Sequence, residues 1–143
     1  MTMPAGTYYI GDLCYVMHDE WKECCKLFFP YVPGQLEQHH VEGEFTLADG
    51  RRFASFGTAY GDGTYPSNIG TSHCVDSGSI GCIRVEDIRD TTYDADRIAE
   101  LGAIVKFDQP FEVSADSGLL KFGHVEIETN DDYDWDEEEE TEA

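Results

Sequence analysis

Apolar runs, some alternating with polar residues at a period of two, are separated by turn signals along this chain, which predicts a largely β protein. Residues 7–16, TYYIGDLCYV, read as a strand, a turn at Gly11-Asp12 and a second short extended piece. Residues 44–57 read as a hairpin. Phe45 and Leu47 alternate with polar neighbours, Asp49-Gly50 makes the turn, Arg51 and Arg52 follow it, and Phe53 to Phe56 form the return strand. Residues 72–76 and 80–85 are two more strands, joined by Ser77-Gly78-Ser79. Strands are also expected over 103–107, 111–113, 119–122 and 124–128, the last with Val125 and Ile127 facing in and Glu126 and Glu128 facing out.

The period lengthens twice. Within residues 18–29, Trp21, Cys24, Cys25 and Phe28 fall at i, i+3, i+4 and i+7, one apolar helix face. Asp19 and Glu20 lie in its expected first turn, where the helix dipole favours negative charge, and Lys22 and Lys26 on its polar side. Pro30 and Pro33-Gly34 end it. Thr92 is placed to cap a second short helix that stops at Gly102, with Asp94 and Asp96 in its first turn and Ala95, Ile98 and Leu101 on its buried side. Residues 35–43 and the glycine-rich stretch 58–71 read as loops. Hairpin-linked strands interrupted by only two helices argue for an α+β fold of mostly antiparallel sheet, not for alternating βαβ units. Residues 1–129 form one such domain. From Asn130 onward the chain is acidic with few core formers, so burial cannot offset its ordering entropy and a disordered tail is expected.

Charge narrows the function. The 143 residues hold 30 acids against 9 lysines and arginines, a formal charge of −21. Residues 131–143 hold nine of the acids and no base, so residues 1–130 still carry 21 acids against 9 bases. Such a body repels a nucleic-acid backbone or an anionic membrane and suits a basic protein surface, a cation or simple solubility. Residues 1–6 lack the basic and apolar start of a signal peptide, and no apolar run approaches the ~18 residues of a membrane span, so a cytoplasmic location is expected. Five cysteines, an odd number, read as buried thiols, not as a disulfide framework.

Candidate chemistry centres on residues 53–85. They carry Gly61-Asp62-Gly63 and Asp76-Ser77-Gly78 between two strand-like runs. Glycine at this density marks tight turns or close backbone approach. Asp12, Asp62 and Asp76 are turn-borne carboxylates. They could ligate Mg²⁺ or Ca²⁺, or could each accept a nearby backbone N–H in an Asx-type turn. Tyr60 and Tyr65 flank the first motif and Ser77 belongs to the second, which completes a candidate ligand-binding set. Asp76-Ser77-Gly78 and Asp116-Ser117-Gly118 look like aspartic-protease signatures, but about forty residues is too little for two lobes, and the second copy reads as a turn. Cys24 and Cys25 point about 100° apart on a helix and make a poor chelate. His39-His40 has no further ligand at zinc spacing. His73, His124, Cys74 and Cys82 supply residue types for nucleophilic catalysis, without a nucleophile elbow, and there is neither a phosphate-binding loop nor a dinucleotide fingerprint. No catalytic residue is assigned.

Three stretches, GTYYIGDLCYV at 6–16, AYGDGTY at 59–65 and VDSGSIGCIRVEDI at 75–88, together resemble a family of small uncharacterised bacterial and bacteriophage proteins. That family opens with Gly-x-Tyr-x-Ile-Gly-Asp-x-Cys-Tyr and often has Pro where this chain has Leu13. The resemblance implies that Asp12, Asp62 and Asp76 lie together, and implies no activity. On its charge, the expected function is that of a non-enzymatic, phage-encoded acidic binding protein, an inhibitor or nucleic-acid mimic. It would act on a basic host protein that handles nucleic acid or serves defence. Asp131, Asp132, Tyr133, Asp134, Trp135 and Asp136 would form a phosphate-like strip with two aromatic anchors. The alternative is a metal-dependent hydrolase or small-ligand binder built on Asp12, Asp62 and Asp76, with a divalent cation as its cofactor.

Overall fold

A computed structural model of the chain describes residues 1–30, 34, 41–88 and 94–130. The predicted α+β architecture is present. Strands β1 (Thr2–Met3) and β2 (Gly6–Gly11) precede helix α1 (Trp21–Phe28). Strands β3 (Gly43–Thr46), β4 (Arg52–Gly57), β5 (Gly63–Pro66), β6 (Ser72–Val75) and β7 (Ser79–Arg84) follow. Helix α2 (Ala95–Leu101) leads into β8 (Ala103–Phe107), β9 (Phe111–Asp116), β10 (Leu119–Phe122) and β11 (Val125–Glu128). A five-stranded sheet has the order β3-β4-β7-β2-β8, a four-stranded sheet β1-β9-β10-β11, and β5-β6 form a ribbon. Every ladder among the described residues is antiparallel.

Alternation along the central strands explains the layering. One face of the five-stranded sheet carries Tyr8, Ile10, Ala54, Phe56, Ile80, Cys82 and Val105, which pack against Val113, Leu120, Phe122, Val125 and Ile127 of the four-stranded sheet. The opposite face carries Tyr9, Phe45, Phe53 and Ile83 under the helices, where Phe28 of α1 meets Phe45 and Phe53 at ring-centroid distances of 5.1 and 6.1 Å. A sheet with both faces covered must be apolar on both, and β2 and β7 are buried almost throughout. Lys22 and Lys26 of α1 are exposed while Cys24 and Phe28 are buried, as the helical spacing predicts.

Several boundaries differ from expectation. The piece after Gly11-Asp12 is a 3₁₀ turn over Leu13–Tyr15, because the Asp12 carboxylate accepts the Cys14 N–H and caps a tight turn there. Helix α1 starts at Trp21, so Asp19 and Glu20 precede its first turn; the Glu20 carboxylate pairs with Arg51 at 2.8 Å. The glycine-rich stretch contains β5, which supplies β6 with a backbone partner and buries Tyr65. Asp94, accepting from Arg97 N–H, is the cap of α2. Strand β9 continues beyond Val113 to Asp116, and Ser117-Gly118, both at positive φ, form the hairpin turn expected there. Thr92, Pro33, His39, His40 and residues 131–143, including the expected tail strip, lie outside the described residues.

Candidate functional site

Asp12 sits where β2 ends, with no solvent exposure. Its Oδ1 accepts from Cys14 N–H at 2.9 Å and from the Ser77 hydroxyl at 2.8 Å. Its Oδ2 accepts from the backbone N–H groups of Asp76 and Ser77, each at 2.7 Å. A carboxylate offers about four lone-pair sites, and here four donors of the protein occupy them. The Asx-type contact expected from sequence is one of the four. The other three reach across to the β6–β7 turn and clamp it to the end of β2.

The neighbouring candidates gather on that turn. Asp76 accepts from the Tyr15 hydroxyl at 2.7 Å, and the Ser77 hydroxyl also lies 2.9 Å from that of Ser79. The Asp62 carboxylate faces Gly78, where a Cβ would stand 3.7 Å from its Oδ1. Tyr65 is buried and donates to the Gly61 carbonyl at 2.5 Å, fixing the glycine loop from beneath. Tyr60 projects into solvent while its N–H donates to the Thr129 carbonyl. Ser77, Gly78 and Ser79 also wall a hollow of about 290 Å³ against Trp21, Cys25 and Phe29 of the α1 region. Sequence reasoning missed Tyr15 and Ser79, which join this network only through the fold.

The electrostatics of the turn disfavour a nucleophile. Burial pushes the Cys14 thiol well up from its usual range, and the charge of Asp12, then those of Asp76 and Asp62, add to it. Burial and the hydrogen bond to Asp76 raise the Tyr15 phenol. Burial lifts the Cys24 thiol to about 12, with Glu20 adding, and raises that of Cys82 as well. Thiols so shifted stay protonated and unreactive at neutral pH. His73 is buried and its pKa is lowered by desolvation to about 4. Its Nδ1 lies 3.1 Å from the Ile10 carbonyl and so carries the proton, leaving Nε2 to accept from Thr71 Oγ1 at 2.9 Å. Among the described residues no group of three or more His, Cys, Asp or Glu side chains is placed to hold a metal ion. Asp116 is exposed in the β9–β10 turn, and no described contact joins it to Asp76.

Carboxylates are instead spread over the exterior, and Asp12 is the only buried acid among the described residues. On the four-stranded sheet, the face opposite the core presents Glu112, Ser114 and Asp116 from β9, Leu119 and Lys121 from β10, and Glu126 and Glu128 from β11. Four acids face one lysine there. Strand β11 then runs through Thr129 and Asn130 directly into the acidic residues that begin at Asp131. Comparison with family models, with curated proteins and with solved structures finds no match to this chain.

Proposed function

We propose that this protein works by binding, offering carboxylates to a basic protein surface. The observation that carries the reading is the outer face of β9–β11, where Glu112, Asp116, Glu126 and Glu128 surround Lys121 and lead into a terminal segment of nine further acids. On a strand, alternate side chains project on one face about 6.6 Å apart, so Glu126 and Glu128 stand side by side on β11, with Glu112 and Asp116 across β10 on β9. A protein whose natural ligand is a nucleic-acid backbone has the complementary surface, and an inhibitor or mimic of that backbone, phage-encoded and directed at a host nucleic-acid-handling or defence protein, is the role such a face suits. The closed Asp12 network supports this reading over metal-dependent hydrolysis, because its oxygens are already engaged by protein donors.

The test measures affinity for a panel of basic DNA-binding proteins as salt rises, with duplex DNA as competitor. Displacement of the DNA is expected, with affinity falling at least ~10-fold between low and physiological salt. A chain carrying Asp116→Asn, Glu126→Gln and Glu128→Gln should bind more weakly with its fold unchanged. Binding that ignores salt, or that leaves DNA in place across the panel, refutes the reading.

A further inference from the structure

Three of the five arginines of this acidic chain converge on one hollow of about 510 Å³, bounded also by Pro4, Tyr8, Gly50 and the acids Asp49 and Asp87. The fold puts them there. Phe53 pairs with Ile83 across β4 and β7, so Arg52 and Arg84 stand one step further along adjacent strands, on the same face. Like charges directly opposite one another in a sheet repel, so such a pair needs an anion to offset it. The carboxylates that the fold supplies do so only in part. Every hydrogen bond of Arg52 leaves from its Nη2, to Glu44 and to the Thr2 carbonyl, so its Nε and Nη1 donors are uncommitted. Arg84 Nη1 lies 3.6 Å from the exposed Glu86, too long for a hydrogen bond, and Nη2 donates to the Ala5 carbonyl. Arg84 Nε is buried without a hydrogen-bond partner, while the guanidinium lies beside the Tyr8 hydroxyl and acts to lower its pKa, which burial raises. Arg51, by contrast, is half-buried and neutralised, gripping Glu20 and Asp49 at 2.8 Å each and donating to the Asp87 carbonyl. It forms a rigid base from which the hollow opens.

We propose that this hollow is a binding site for a small oxyanion, phosphate or carboxylate, held between the guanidinium groups of Arg52 and Arg84. A guanidinium presents parallel N–H donors that match two oxygens of such a group, and two guanidiniums side by side form a clamp. The volume falls within the range of small-ligand pockets. The strong negative charge of the whole chain selects for a compact ligand that binds through these short-range contacts, not one drawn in from a distance. The oxyanion has two sources, a free or partner-borne phosphate and the carboxylates of residues 131–143.

The experiment titrates inorganic phosphate, and separately acetate, into the isotopically labelled full-length chain at ionic strength matched with chloride. Backbone amide and arginine Nε–H resonances are followed. Saturable shifts at Tyr8, Arg52 and Arg84 are expected below ~100 mM ligand. Arg52→Gln should raise the dissociation constant at least ~10-fold, and Arg52→Lys, which keeps the charge but loses the fork, should lie between. A full-length variant with all nine acids of residues 131–143 changed to their amides separates the sources. Phosphate binding tightened at least ~3-fold in it identifies the chain's own terminal carboxylates as the resident oxyanion, and unchanged affinity identifies an external one. The proposal is overturned if neither chain shows saturable shifts, or if the shifts survive unaltered in a folded Arg52→Gln protein.

Discussion

Acidification should destabilise this protein through His73, and the size of the effect follows from its surroundings. The ring is fully buried between β6 and β2, donating from Nδ1 to the Ile10 carbonyl and accepting at Nε2 from Thr71, whose hydroxyl lies 2.7 Å from that of Ser67. The imidazole is therefore held neutral, with a pKa lowered by desolvation from the ordinary 6.5 to about 4. In the unfolded chain the same ring protonates near 6.5. Between these values the unfolded state binds more protons, so stability rises with pH across the window and is lost as pH falls through it. One proton's difference integrates to a loss of about 2 kcal/mol between pH 7 and pH 4.5, a large fraction of a typical domain's stability. The background moves the other way, since protonating carboxylates relieves the self-repulsion of so acidic a chain. A variant separates the two contributions. His73→Asn places an amide N–H where Nδ1 donates and removes the titrating group. Urea denaturation at half-unit pH steps should show the wild type losing about 2 kcal/mol more than His73→Asn over this interval. Parallel curves, or an NMR titration that puts the folded-state pKa of His73 above 6, would refute the reasoning.

Two further perturbations test the packing around the candidate site. Asp12→Asn sets an amide donor against N–H groups that now meet a carboxylate, and should cost about 3–5 kcal/mol in urea denaturation; a loss below about 1 kcal/mol would show that the clamp on the β6–β7 turn is dispensable. Gly81→Ala puts a Cβ 2.0 Å from the Ala54 carbonyl oxygen, a backbone atom that cannot swing aside, and 2.8 Å from Leu13. It should cost about 3 kcal/mol or more. Gly50→Ala in the open β3–β4 turn meets nothing within 4 Å and suffers only the positive-φ penalty of about 1–2 kcal/mol, so the two melting temperatures should separate clearly.

Local signals made much of this fold legible. Asp49-Gly50 between alternating runs located the β3–β4 hairpin, and the alternation of Val125, Glu126, Ile127 and Glu128 assigned the two faces of β11. Glycine at Gly102 marked the end of α2, and the i, i+3, i+4, i+7 spacing identified the buried side of α1. What escaped depends on partners distant in sequence. Strand β5 reads as a loop because Gly63 and Pro66 bracket it, and it becomes a strand only by pairing with β6. The turn at Asp12 was legible, but not that the same carboxylate receives two N–H groups from residues 64 and 65 positions later. Arg51, Arg52 and Arg84 looked like ordinary polar positions next to strands, because their convergence requires the β4–β7 register.

The distribution of leftover hydrogen-bonding capacity connects these observations. A buried polar group without a partner costs free energy, so a folded chain leaves few of them, and those that remain show where the structure is not closed upon itself. Asp12 carries the deepest charge among the described residues, yet every one of its acceptor sites is engaged, which makes it a fastener between β2 and the β6–β7 turn. His73 is likewise occupied at both nitrogens. Three buried side-chain atoms among the described residues lack a partner: Glu20 Oε2, Ser55 Oγ and Arg84 Nε. Two of these belong to the arginine hollow or to the carboxylate that braces Arg51. The buried groups of the glycine-rich centre that draws attention in the sequence, Asp12 and Tyr65, are thus engaged by the protein itself. The unfilled capacity lies at the opposite end of β4, on Arg52 and Arg84, where the oxyanion proposed above would find its donors.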